Sequence, residues 1–283
     1  MKEDTSRLDG ILSVFSAWGI IALAFLLPFF FIPSASFPLQ FSKSLILFLI
    51  SWIAFIFWIV DSLKKGVIVL PKSHILLSAL AIVLSYLLSG LFSVSPASSI
   101  LGQGFEIGTF AAIATVVLLF FLSAVTLNTK PRLFYAHLLF MVSFIVIVLY
   151  QGLRLFLGPD FLSFGVFNSM TSTLLGNWNN LSGFFGLGAV MSLIGLEVLN
   201  AKNILRWVFT AALILSLFFL VLTNFSVVWG IVGVFSLILF VYSLVFKINK
   251  VSMFSPGWPV ASLLSTIISI LFIIGGSFFG SYI

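Results

Sequence analysis

The sequence predicts an all-α, polytopic transmembrane helical bundle of about nine spans, with a cytoplasmic N-terminus and an external C-terminus, forming a single transmembrane domain over residues 1–283. Three features lead there. First, 61% of the 283 residues are hydrophobic and 7% are charged, with a mean hydropathy of +1.30, whereas a soluble domain is about 45–50% apolar and about 25% charged. Second, the apolar residues run in uncharged stretches close to the roughly 20 residues that a helix needs to cross a bilayer. Third, Lys and Arg alternate from loop to loop as the positive-inside rule requires.

The spans fall at about 11–32, 44–60, 74–92, 105–127, 133–153, 174–196, 203–222, 226–246 and 260–280. The first is longer than a signal-peptide core of about 7–15 residues and no small-residue cleavage site follows it, so it is read as a retained anchor. The second ends before Asp61, and the third opens on Leu70-Pro71-Lys72 and leaves at Ser93-Val94-Ser95-Pro96. The fourth starts beside Glu106, the fifth ends before Arg154, and the sixth opens at Gly176-Asn177 and closes before Glu197. The seventh and eighth come from one uncharged stretch, Trp207 to Phe246. As a single helix it would measure about 60 Å, twice the bilayer. It must therefore fold back, and Thr223-Asn224-Phe225-Ser226 is its only polar cluster. None of these runs alternates apolar with polar residues, which excludes a membrane β-barrel.

With the N-terminus inside, the cytoplasmic segments hold Lys2, Arg7, Lys64, Lys65, Lys72, Lys130, Arg132, Lys202, Arg206, Lys247 and Lys250, and the external ones hold only Lys43 and Arg154. The net charge of +6 is thus a topological bias, and nucleic acid is excluded as a partner; the lipid bilayer is the expected one. The chain has no Cys, which rules out disulfides and thiol chemistry. Two His and seven carboxylates leave no basis for a metal site or a cofactor. Asp61, Glu197, Lys202 and Arg206 are read as interfacial anchors, and His137 as a hydrogen-bonding residue one turn inside its span.

The external face supplies the candidate binding residues. Glu106 follows the turn-rich segment Ser93–Gly104 and is the best-placed external carboxylate. Arg154 offers a fixed guanidinium for phosphate oxygens or a side chain that snorkels to headgroups. Lys43 is the other external cation. The segment Gly176-Asn177-Trp178-Asn179-Asn180-Leu181-Ser182-Gly183 places three amides and an indole at the mouth of a helix. Amides bond sugar hydroxyls and Trp178 could stack on a pyranose face; equally, the amides could cap and tether the helix. Gly183, Gly186 and Gly188 would let that helix approach a neighbour closely.

Four stretches resemble the O-antigen ligase and polymerase family of GT-C type membrane glycosyltransferases. They are Leu70-Pro71-Lys72, then Leu91–Pro96 with Ser99-Ile100-Leu101-Gly102, then Leu174–Gly183, which looks like the family's Gly-Asn-x-Asn segment, and finally Thr223–Trp229. Trp178 stands where many members have Pro, and Glu106 where many have Arg. The resemblance implies metal-independent transfer, without a cofactor, of an undecaprenyl-pyrophosphate-linked glycan to an acceptor hydroxyl on the external face of the bacterial inner membrane. It implies substrate contacts at Arg154, Asn177, Trp178, Asn179, Asn180, Glu106 and Lys43. Family members carry further spans and a large external loop whose basic and His residues are assigned to catalysis. This chain would stop where that loop begins, so no residue here is assigned a catalytic role and the chain is read as the front part of a longer protein. The glycan, its acceptor and the choice between ligase and polymerase stay open. Two other readings fit the composition: a multispanning transporter or flippase, which predicts related halves, and a non-catalytic scaffold for envelope assembly.

Overall fold

The computed structural model describes residues 2–34, 38–68, 71, 73–102, 106–167, 169, 171–198, 203–248 and 259–279, with 2–11, 203, 246–248 and 276–279 described as helix backbone alone. Among these residues there is no strand. The helices are α1 (Lys2–Leu26), α2 (Leu39–Lys65), α3 (His74–Leu91), α4 (Pro96–Leu101), α5 (Phe110–Thr126), α6 (Lys130–Leu157), α7 (Trp178–Glu197), α8 (Asn203–Thr223), α9 (Ser226–Ile248) and α10 (Val260–Phe279). Six of them, α2, α3, α6, α7, α8 and α9, are long and apolar enough to cross a bilayer, which makes the chain a multi-pass membrane protein by length and composition. Shorter apolar stretches lie in α1, α5 and α10. Each predicted span falls on a helix, and the short α4, with Pro96 in its first turn, lies where the sequence suggests a loop.

Several helix ends differ from the predicted ones for local chemical reasons. The first helix ends at Leu26 because Pro28 cannot continue it. The fourth predicted span begins later, at Phe110, where Thr109 Oγ1 accepts the Ala112 N–H at 3.3 Å as an N-cap. Charged Lys43, Asp61, Lys64 and Lys65 are built into α2, which stops at Gly66 in the left-handed region (φ 66°). The fold-back between α8 and α9 is at Asn224, φ 42°, inside the polar cluster.

The chain forms two compact units. Unit 1 comprises residues 1–147 and 160–168. Its α1 lies against α2, where Ser16 Oγ donates to the Ala54 carbonyl at 2.9 Å. Ile20, Ala54 and Leu122 form a buried centre, with Phe55, Trp58, Leu118 and Phe121 packed on it, so α5 fills the space beside the α1–α2 pair. The α3 helix lies on α5, and most of its side chains are exposed, as a lipid-facing helix requires.

Unit 2 comprises residues 148–159 and 169–283. Here α7 packs on both α8 and α9, and α9 packs on α10. Phe185 stacks on Phe219 (centroids 4.4 Å apart), and Trp229 stacks on Phe272 (4.7 Å). The small residues of α7 have separate roles. At Gly186 a Cβ would come within 2.4 Å of Val228 Cγ1, so that glycine sets the α7–α9 approach. At Gly195 a Cβ would meet the Phe209 ring at 2.7 Å, and Gly183 faces open space. Ser236 and Thr266 share a 2.9 Å hydrogen bond between α9 and α10. Glu197, predicted to anchor at the interface, instead accepts the Ser262 N–H at 2.9 Å and the Ser243 hydroxyl at 3.1 Å, tying the end of α7 to α9 and to the start of α10. A carboxylate at the N-terminus of α10 also meets the positive end of that helix's dipole.

Candidate functional site

The candidate residues of unit 2 sit in and after the connection between α6 and α7. Arg154 lies in the last turn of α6 and is only 1% exposed. Its Nη1 donates to the Ser172 carbonyl at 2.5 Å, and its Nη2 donates to the carbonyls of Pro159 (2.8 Å) and Ser169 (3.2 Å). The Tyr150 ring, one turn earlier, has its centroid 5.8 Å from the guanidinium carbon, within cation–π reach. The local physics is direct. A connection without a ladder of its own leaves carbonyls that need donors, and a guanidinium fork serves several at once. A cation is also favoured at a helix C-terminus. Gly158, at φ 96°, turns the chain so that the carbonyls can converge.

The segment reached by this fork leads straight into the amide cluster. Thr173 and Gly176 exchange two backbone hydrogen bonds, 2.8 and 2.9 Å long, closing a tight turn. Gly176 has φ 115°, and a Cβ there would stand 2.8 Å from Asn180 Nδ2, so the turn needs glycine twice over. Asn177 then caps α7, its Oδ1 accepting the Asn180 N–H at 2.9 Å, and Asn180 Nδ2 reaches back to the Leu175 carbonyl at 3.3 Å. Two of the three amides therefore shape the helix entrance. Asn179 is exposed and makes no side-chain hydrogen bond among the described residues, while Trp178 is half-buried beside it.

A second polar feature was not singled out from the sequence. The Ser169 hydroxyl lies 2.8 Å from that of Ser172 and 3.2 Å from that of Thr171. These hydroxyls stand on the stretch whose carbonyls Arg154 holds. Their only sequence signal is that four of the five residues from 169 to 173 are Ser or Thr. Gln151 is a further omission. It is 2% exposed, and its Oε1 has no partner among the described residues. A lone amide near the end of an otherwise apolar run is its sequence signal.

Lys43 and Glu106 belong to unit 1. Lys43 is half-buried, and its Nζ donates to the carbonyls of Leu27 and Pro28, 2.6 Å each. It therefore closes the C-terminal end of α1, helped by Ser42 Oγ, which accepts the Ile32 N–H at 3.2 Å. Glu106 is exposed ahead of α5; its carbonyl accepts from Thr109 N–H (3.3 Å) and Thr109 Oγ1 (3.0 Å). Both cations of the predicted external loops are thus engaged by backbone carbonyls. Chemically, the α7 entrance presents an exposed amide, an indole and a cluster of hydroxyls, a surface suited to hydrogen-bonding and stacking against a polyhydroxylated ligand. Among the described residues no group of three or more His, Asp or Glu could hold a metal ion.

No known protein family matches the chain, and comparison with curated proteins and with solved structures yields no match.

Proposed function

We propose that the chain is the membrane part of a glycan-transferring enzyme similar to the O-antigen ligases and polymerases, with nine spans, its N-terminus in the cytoplasm and its C-terminus outside, in the bacterial inner membrane. One observation carries the reading. The Gly176–Asn180 segment, on which the family resemblance rests most, forms a hydrogen-bonded turn at the start of a helix and leaves Asn179 exposed with Trp178 half-buried beside it. Asn179 and Trp178 are then the sugar contacts, while Asn177 and Asn180 hold the turn. Arg154 and Lys43 act by fixing loops, because their donors already meet carbonyls. Glu106 remains as an exposed carboxylate for hydroxyl contacts. The positive-inside distribution supports the orientation.

The test is photo-crosslinking from a diazirine-bearing residue placed at Asn179, using a radiolabelled undecaprenyl-pyrophosphate-linked glycan in bacterial membranes. Saturable labelling that unlabelled lipid-linked glycan competes away, and that Trp178→Ala weakens, is the expected result. Labelling no stronger than from a lipid-facing control at Leu187 would overturn the proposal.

A further inference from the structure

At the other end of α2 from Lys43, unit 1 contains a polar cavity of about 390 Å³ whose lining includes Trp58, Asp61, Lys65, Asn128 and Arg132. Three features mark it as built for a ligand. The Asp61 side chain is 8% exposed; its Oδ2 pairs with Lys65 Nζ at 2.5 Å, but its Oδ1 is buried with no partner among the described residues. A buried acceptor left so carries an uncompensated desolvation cost. Arg132 donates from Nη1 to the Thr126 carbonyl at 2.9 Å and has no carboxylate partner among the described residues. Among the described residues, with Asp61 paired to Lys65, Arg132 is left without a carboxylate and Asp61 with one unfilled acceptor.

The third feature gives the class of ligand. An apolar groove of about 700 Å³ runs between α3 and α5, lined by residues such as Leu77, Leu80, Val83, Val117 and Phe121. Pro71 lines both the cavity and the groove. Trp58 of the cavity packs edge-on against Phe121 of the groove, centroids 5.1 Å apart. From His74 to Val83 the groove follows α3 for about 14 Å. A charged pocket beside an apolar groove, with Pro71 in the lining of both, matches a molecule with an ionic head and a hydrocarbon tail.

We propose that unit 1 binds one anionic glycerophospholipid with a hydroxyl-bearing headgroup, of the phosphatidylglycerol type. The phosphodiester sits on Arg132, a headgroup hydroxyl donates to the Asp61 carboxylate, and an acyl chain lies between α3 and α5. This ligand supplies the missing charge and the missing donor together. Lys64 and Lys130, both exposed at the same end of the unit, add to its attraction for anionic lipid. The site is independent of the glycan reading, since it shares no residue with the α7 entrance.

Native mass spectrometry of the whole chain, delipidated in detergent, tests this with four probes of matched acyl chains or headgroup: phosphatidylglycerol, phosphatidylmethanol, phosphatidylcholine and glycerol 3-phosphate. Phosphatidylglycerol is expected to bind about tenfold more tightly than phosphatidylcholine, an advantage that Arg132→Gln removes. Phosphatidylmethanol has the same charge but no headgroup hydroxyl; it should bind more weakly, and Asp61→Ala should abolish that difference. Leu80→Trp, at a half-exposed position in the groove, should weaken binding of every diacyl lipid and serves as the test even if the headgroup variants fail to fold. Equal binding of phosphatidylcholine, binding unaffected by Leu80→Trp, or displacement of the lipid by glycerol 3-phosphate would overturn the proposal.

Discussion

The Glu197 carboxylate accepts the backbone N–H of Ser262 across 65 residues of sequence, so the last turn of α7 supplies the acceptor that the first turn of α10 lacks within its own helix. Helix N-termini leave unsatisfied donors, and here the partner is anionic and also takes the Ser243 hydroxyl. Replacing Glu197 with Ala should destabilise unit 2 by about 1–2 kcal/mol, with Gln retaining part of the effect because it keeps the acceptor and loses the charge. Unfolding in mixed micelles, followed by helix signal, measures this; equal losses for Ala and Gln would show that the charge contributes everything.

Arg154 serves three carbonyls through two nitrogens, a geometry that a lysine ammonium on a flexible stem does not reproduce. In Arg154→Lys, hydrogen exchange at the Thr173 and Gly176 amides should rise by at least about tenfold while α8 and α9 keep their protection. Unchanged exchange in that turn would mean the fork does not organise it.

At Gly186 the space for a side chain is taken by Val228. Gly186→Ala should cost about 1–3 kcal/mol through overpacking, and adding Val228→Ala should recover most of it. A double-mutant cycle reads the coupling; additive losses would place the strain elsewhere.

Asn177 and Asn179 sit two residues apart and should respond oppositely. Asn177→Ala removes an N-cap and should lower stability by about 1 kcal/mol. Asn179→Ala breaks no hydrogen bond among the described residues, so stability should change by less than about 0.5 kcal/mol, while glycan crosslinking from a probe at Trp178 should fall. Loss of stability in the second variant, with crosslinking intact, would reverse the assigned roles.

Much of this architecture is legible in the sequence, and the reason is solvent. Apolar run length reports helices directly when hydrocarbon is the surrounding medium, and one polar cluster was enough to locate the bend at Asn224. The Asn177 cap was legible as one of two stated alternatives. What the sequence could not display is the use of Arg154, Lys43 and Glu197, because most of their partners are backbone groups that every residue type carries. Gly183 and Gly186 looked alike as letters, yet only the second faces a neighbour, since their difference depends on where α9 lies. The Asp61–Arg132 cavity was hidden for a similar reason: 71 residues separate its two ends, and each charge taken singly looks like a surface anchor.

The make-up of α7 has a consequence for how the protein is made. Its mean hydropathy is 1.3, against 2.3 for α8 and 2.4 for α9, and more than half of its apolar window is covered by the rest of the chain. Ribosomal synthesis delivers α7 before either helix that covers it. Gly186, Gly195 and the buried Ser182 and Ser192 then lack the surfaces they fit. As the least apolar of the three, α7 is expected to enter the lipid phase with the help of the segments behind it, so that the three helices insert as a set.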